Sequence, residues 1–238
     1  MTYMINPYKY AQSSSAFDPT TIAGLALWHD ATDASTISKT GSSVTRWDDK
    51  SGGAGGDATQ ASASLQLQDG VRTINGLNAL EGNGSRKMVA DFGLFPGSQD
   101  FTMFFMAALD VGDTSQFGFA EQTSGSDAFF LNASPTANII SGRAGNSSIS
   151  GAWTSDTDPH VFSIRRSGSS NTQIRVDGNL IVQGSTGFRS GASVQELGRV
   201  NGALLAICVY DSPLSVADQN TFGQGYADLM GITWNDIT

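Results

Sequence analysis

From Thr21 onward the chain is a succession of short apolar runs, each closed by turn-forming residues, and this punctuation restricts it to β-strands. The runs are LALWHD (25–30), VTRW (44–47), FTMFFMAALD (101–110), FGFAE (117–121), AFFLNA (128–133), NIISGR (138–143), HVFSIRR (160–166) and TQIRVDG (172–178). Gly, Ser, Asp and Asn fill the connectors and favour turns over helix. In TQIRVDG, Ile174 and Val176 share one face while Gln173 and Arg175 share the other, the period of a half-buried strand. Asp177-Gly178 then suits a tight hairpin, because Gly tolerates positive φ, and Leu180 and Val182 are expected to alternate back along the returning strand. FTMFFMAAL is apolar on both faces, which marks a central strand covered on both sides. The architecture this predicts is all-β, two antiparallel sheets packed as a sandwich.

One helix is predicted near the end. Ser215-Val216-Ala217-Asp218 is a capping box, and Phe222, Tyr226 and Leu229 recur at i, i+4 and i+7 as a narrow apolar stripe. Gly223 and Gly225 each weaken it by roughly 1 kcal/mol against Ala, so packing has to hold it. Gly231 is a natural left-handed stop.

The 238 residues suit one large β domain, placed at 21–238, and no internal repeat suggests a second. With 13 basic and 22 acidic residues the net charge is −9, and no basic run supplies a phosphate footprint, which argues against nucleic acid. No apolar run is long enough to span a bilayer, and the opening MTYMINPYKYAQSSSAFDP lacks the apolar core of a secretory signal. The single cysteine, Cys208, lies within ALLAICVY and is expected to be a buried, inert thiol. Residues 1–20 read as an extended N-terminal arm. They have no sustained periodicity, yet carry Tyr3, Tyr8, Tyr10 and Phe17, aromatics costly to leave in water. Such a segment is expected to order against a partner chain or the outside of its own domain.

The motifs run in a recognisable order: GLALWHDATDAST, SSVTRWDDKSGGAGGDATQAS, NGLNALEGNGS, DFTMFFMAALD, a late IRVDG, and GALLAICVYDSPLSVADQNTFGQGYADLMGITW. Taken together they resemble the concanavalin A-like lectin/glucanase superfamily, in its laminin-G-like bacterial and phage branch, over about residues 21–234. The resemblance implies a jelly-roll sandwich in which Trp28, Asp30, Trp47, Asp49, Ser51 and Gly52 form a structural signature. INPYKYA followed by a Ser/Ala tract resembles the openings of tailed-phage virion proteins that carry this domain, and implies attachment through Tyr3, Pro7, Tyr8 and Tyr10.

Because the superfamily includes β-glucanases, a glycosidase has to be weighed. A retaining enzyme needs two carboxyl groups about 5–5.5 Å apart. The glucanase branch sets them on one strand as E-x-D-x-E, and this chain has glutamates only at 81, 121 and 196. Asp48 and Asp49 are adjacent and would face opposite ways on a strand. Neither His29 nor His160 lies in a catalytic motif, and His29 alternates with Leu25 and Leu27 as an inward structural histidine would. The chain is therefore expected not to be an enzyme and to need no cofactor. The Asp-rich turns at 30–33, 110–113 and 156–158 offer hard oxygen ligands for calcium, although clustered aspartates more often form solvated turns.

The Trp-x-Asp pairs are read as scaffold, an indole filling core while the aspartate fixes the following loop through backbone amides. Trp153, in SGAWTSDTD, is the candidate exposed platform for a glycan, with Phe117, Phe119 and Phe129 assigned to core. The function expected is a phage virion structural protein made in host cytoplasm, decorating a capsid or forming a tail or fibre surface. It would contact other virion proteins through its arm, and adhesion to host-surface glycan and homo-oligomerisation are both compatible with that role. The alternative is a carbohydrate-binding module of a bacterial cell-surface protein.

Overall fold

The computed structural model describes residues 17–53, 56–90, 100–110, 116–123, 126–134, 139–144, 147–154, 156–168, 170–186 and 194–238; at 116–123, 126–134, 143–144 and 194–195 it describes the backbone alone. The strands, in chain order, are β1 (Leu25–Asp30), β2 (Ile37–Thr40), β3 (Ser43–Trp47), β4 (Ala58–Thr59), β5 (Gln68–Ile74), β6 (Leu77–Asn83), β7 (Met88–Ala90) and β8 (Phe101–Leu109). They continue with β9 (Gln116–Thr123), β10 (Ser126–Ser134), β11 (Ile139–Ala144), β12 (Ser148–Ala152), β13 (Pro159–Arg166), β14 (Thr172–Val176), β15 (Asn179–Gly184), β16 (Val194–Arg199) and β17 (Asn201–Tyr210). One α-helix, α1 (Val216–Met230), follows.

Every described pairing between strands is antiparallel. One layer runs β15–β14–β13–β8–β17, with β6 and β1 sharing the far edge of β17. The other runs β5–β3–β4–β7–β16–β9–β10–β11–β12. The β5–β6 hairpin joins them, so the expected two sheets are one hydrogen-bonded surface folded over on itself. At the opposite edge β12 lies against β15, where a Cβ on Gly151 would meet the carbonyl oxygen of Ile181 at 2.8 Å. Only a glycine lets the two edges approach so closely, and each edge then shields the other from pairing with foreign strands.

The central-strand expectation for β8 holds. Phe101, Met103, Phe105, Ala107 and Leu109 enter the core between the layers, together with Leu27, Trp47, Phe162 and Ile174. The alternate residues Phe104 and Met106 enter a second core with Trp28, Tyr210, Phe222, Tyr226 and Trp234. That second core exists because α1 covers the outer face of the first layer, which explains why β8 is apolar on both sides. Ser215 Oγ accepts from the Asp218 amide at 3.1 Å, and Gly231 ends the helix at φ 72°. The buried stripe is broader than expected: Met230 is buried where Leu229 is half-buried, and Gly223 and Ala227 join the contact. The two helix glycines admit neighbours. A Cβ on Gly223 would lie 2.3 Å from the Trp234 ring, and one on Gly225 2.3 Å from Phe17.

Phe17 changes the boundary set for the arm. Its ring stands edge-on to Phe222 and Tyr226, both at 5.5 Å, and Tyr210 donates to the carbonyl of Pro19 at 3.1 Å. Residues 17–20 therefore belong to the domain. Tyr3, Pro7, Tyr8 and Tyr10 lie outside the described residues.

A second departure lies in the β14–β15 hairpin. Its two-residue turn is as expected, with Asp177 at φ 50° and Gly178 at φ 83°, the mirror-image turn that matches strand twist. A bulge then inserts Ile181, since Ile174 pairs with Val182 but Arg175 pairs with Leu180. Leu180 is thereby turned to the outer face, opposite to Val182, and is 47% exposed.

Candidate functional site

The residues that motivated a functional reading converge on the edge strand β1. The loop 48–53 runs beside it and satisfies its free edge. Asp49 Oδ1 accepts the Trp28 amide at 2.8 Å and the Ser51 amide at 2.9 Å, while Oδ2 accepts the Ser51 hydroxyl at 2.8 Å. The Lys50 amide donates to the Trp28 carbonyl at 2.8 Å, and Ser51 Oγ accepts the Gly53 amide at 3.0 Å. Gly52 adopts φ 66°, which turns the loop back. One carboxylate thus does for β1 what a neighbouring strand would do.

Asp30 is held equally closely. Its Oδ1 accepts the amide and hydroxyl of Thr32 at 2.9 and 2.7 Å, and Lys50 Nζ lies 3.2 Å from Oδ2. Lys50 also meets Asp33 Oδ2 at 2.9 Å and sits 4.1 Å from the centroid of the Trp28 ring, in cation–π range. Burial works against the Lys50 charge, but Asp33 and Asp30 outweigh it and raise the pKa. Hydrogen bonding by Ser35, then by Lys50, lowers Asp33 to about 2. An ammonium group occupies the place between these aspartates where the calcium reading needed a metal.

The two tryptophans do not share a surface. Trp28 belongs to the core under α1, and Trp47 is wholly buried in the core between the layers. They cannot form one sugar-stacking groove. His29 is also wholly buried, 5.0 Å from the Trp47 ring, and its Nδ1 is 3.1 Å from the Asp48 carbonyl. Burial lowers its pKa to about 4 against the opposing pull of Asp49. The imidazole is therefore neutral at pH 7 and donates through Nδ1. The Trp47 indole N–H has no hydrogen-bond partner among the described residues, a departure from the usual pairing of buried indoles that costs about 1–3 kcal/mol.

Trp153 overturns the expectation of an exposed platform. It is 9% exposed and packs edge-on against Phe162 at 5.3 Å and His160 at 5.5 Å. Its large apolar surface was better buried between the layers than stacked in water. Sequence reasoning missed the ion cluster beside it. His160 Nδ1 lies 2.6 Å from Asp177 Oδ2 and Nε2 lies 2.8 Å from Asp156 Oδ1. Burial pulls the imidazole pKa down, but Asp177 and Asp156 together raise it. Asp156, spacing i, i+4 from His160, was the available signal; Asp177 comes near only through the hairpin turn. The 156–158 turn is thus engaged by an imidazole.

Asp110 pairs with Arg72 at 2.6 Å, while 111–113 and the side chains of Phe117, Phe119 and Phe129 lie outside the described residues. Among the described residues no group of three or more His, Cys, Asp or Glu is arranged to hold a metal ion. Glu81 is engaged by Arg72 and Arg86, and Glu196 by Lys87 and Arg199. Cys208 is buried against Tyr226, and burial raises its thiol pKa well above the usual value.

The class defined by this architecture is an antiparallel β-sandwich with one helix-covered face. No protein-family model and no curated protein matches the sequence. Solved structures do match in fold. The sialidase of Trypanosoma rangeli, solved in complex with sialic acid, superposes with a TM-score of 0.59 at 15% identity, covering 89% of this chain and 34% of that one. Domain 4 of a GH43 extracellular arabinanase from Geobacillus stearothermophilus, solved in complex with arabinotriose, gives 0.58 at 11% identity, covering 87% and 98%. Botulinum neurotoxin type C, from a study of its cell entry through two ganglioside molecules, gives 0.56 at 11% identity, covering 84% and 51%. The chain spans about a third of the sialidase and nearly all of the arabinanase domain. At these identities the likeness establishes the sandwich fold.

Proposed function

We propose that this chain is a non-catalytic, lectin-like β-sandwich that recognises glycan, and that its N-terminal segment mounts it on a tailed-phage particle. The observation that carries glycan recognition is the likeness to the arabinanase domain, which spans 87% of this chain and 98% of a domain solved with arabinotriose. The non-catalytic reading is supported by the state of the carboxylates beside the tryptophans. Asp49 is committed to two amides and a hydroxyl, and Asp30 to Thr32 and Lys50, so neither is poised to act across a glycosidic bond. A glycan array followed by calorimetry tests both parts. Micromolar binding without turnover of the bound glycan is expected; release of reducing sugar by pure protein would refute the non-catalytic reading.

Mounting on a virion is supported by the order of the sequence motifs and by INPYKYA at the start. Phe17 and Pro19 pack on the domain, so the separable segment is residues 2–16. Deleting it should leave a folded domain that no longer joins particles. Unchanged incorporation would favour the alternative, a carbohydrate-binding module of a bacterial cell-surface protein.

A further inference from the structure

Most basic side chains among the described residues of this acidic protein are paired. Among the described residues, every Lys or Arg side chain except two reaches a carboxylate. The exceptions, Arg165 and Arg175, are neighbours. On β13 and β14, Ser163 pairs with Arg175 and Arg165 with Gln173; on β14 and β15, Arg175 pairs with Leu180 and Gln173 with Gln183. Cross-strand partners share a face, so these residues form two adjacent rows on the outer face of the first layer, with Ser163 buried and Arg165, Gln173 and Arg175 half-buried. The inward alternates Ile164, Ile174 and Val176 fill the core and fix that face rigidly.

Both guanidinium groups are held in place by neutral acceptors. Arg165 Nε donates to the Leu214 carbonyl at 2.9 Å. Arg175 Nη1 donates to the Gly178 carbonyl at 3.0 Å and Nη2 to Gln173 Oε1 at 3.4 Å, while its buried Nε has no acceptor among the described residues. Burial, and then the charge of Arg165, disfavour the Arg175 cation; burial likewise disfavours Arg165, with Asp100 opposing. Among the described residues neither guanidinium forms an ion pair with a carboxylate, so two half-buried like charges with pre-set donors are suited to an anionic ligand. Around them, Gln173 Nε2 donates to Gln183 Oε1 at 3.0 Å, offering amides suited to hydroxyls, and Leu180 supplies an exposed apolar surface beside Arg175.

We propose that this sheet face binds the carboxylate of an acidic saccharide, with Arg165 and Arg175 taking the carboxylate oxygens and Leu180 lying against the sugar ring. This deepens the glycan-binding reading and rests on it. The site is built on strands, so its donors are pre-organised and little ordering is lost on binding. Both arginines carry the affinity together.

The test is an array carrying uronate- and sialate-bearing glycans beside their neutral counterparts, then calorimetry on the best acidic ligand, its neutral counterpart and inorganic sulfate. Wild-type protein is expected to prefer the acidic member. R165Q and R175Q are each expected to weaken it by about tenfold or more, the loss of a charge-assisted contact, and to leave neutral ligands unaffected. Arginine Nε–H resonances of the wild-type protein should shift on titration with the acidic ligand, a readout that needs no variant to fold. Equal binding by the double variant, or unmoved arginine resonances, would overturn the assignment. Binding of neutral glycans alone would also overturn it while leaving the glycan reading intact. No binding across the array would remove both. Sulfate bound as tightly as the saccharide would reduce the site to an unselective anion patch and overturn the saccharide assignment.

Discussion

Replacing Gly223 with Ala sets helix propensity against packing, and the structure fixes which wins. On propensity alone the change adds about 1 kcal/mol of stability to α1. The new Cβ, however, would lie 2.3 Å from the carbon atoms Cε2 and Cζ2 of Trp234, far inside contact distance. Trp234 is 6% exposed and cannot slide freely. Its indole N–H donates to Asn220 Oδ1 at 3.1 Å, and Asn220 also binds the amide of Ile237 at 2.8 Å and its carbonyl at 3.1 Å. If the helix and tail absorb the overlap, the strain is about 1–3 kcal/mol. If the indole is expelled, about 150–250 Å² of apolar burial at about 25 cal/mol/Å² is lost, or about 4–6 kcal/mol. Against the propensity gain, the net destabilisation is about 0–2 kcal/mol if the overlap is absorbed and about 3–5 kcal/mol if the indole is expelled, with a fall in Tm of about 2–4 °C per kcal/mol for a domain of this size. Urea unfolding followed by tryptophan fluorescence measures it, and indole exposure to a soluble quencher separates strain from expulsion. A variant more stable than wild type by the propensity gain of about 1 kcal/mol would refute the claim that close packing of Trp234 is why a glycine stands in this helix.

The two histidines should give stability opposite pH dependences. His29 has its folded pKa depressed to about 4, below the unfolded value, so stability is lost as pH falls from about 6.5 toward 4. His160 has its folded pKa raised, so its contribution is full below the unfolded pKa and is lost as pH rises through the folded one. Denaturant midpoints from pH 4 to 9 should show the acid limb flattened in H29Q and the alkaline limb flattened in H160Q; unaltered limbs would contradict the assignments. Asp49→Ala strips the acceptor from the Trp28 and Ser51 amides and should cost about 1–3 kcal/mol, with faster hydrogen exchange at Trp28. An unchanged Trp28 exchange rate would show that the loop does not protect the edge of β1.

Local pattern carried far in this chain wherever the constraint was itself local. The turn at Asp177-Gly178, the cap at Ser215, the stop at Gly231 and the two-faced burial of FTMFFMAAL each depend on residues within a few positions. The β5–β6 hairpin was overlooked although Asn75-Gly76, at φ 50° and 78°, is a strong hairpin signal. The bulge at Ile181 left no comparable mark, because a bulge is set by the register against β14, and it reversed the side on which Leu180 emerges. Trp153 was misjudged for a related reason: a Gly- and Ser-rich loop looks exposed in sequence, and only the approach of β13 from the other layer buries its indole.

The sequence by itself determined that the chain forms short antiparallel strands closed by one capped helix, since periodicity and turn chemistry act over neighbouring residues. It also determined that no E-x-D-x-E array exists, because glutamate stands only at 81, 121 and 196. Tertiary structure alone decided that Trp28 and Trp47 enter different cores, that Lys50 lies between Asp30 and Asp33, and that Arg165 and Arg175 stand together without an ion pair among the described residues. Each of these depends on which strands pair and in what register, an outcome of the whole packed sandwich that short-range patterns do not encode.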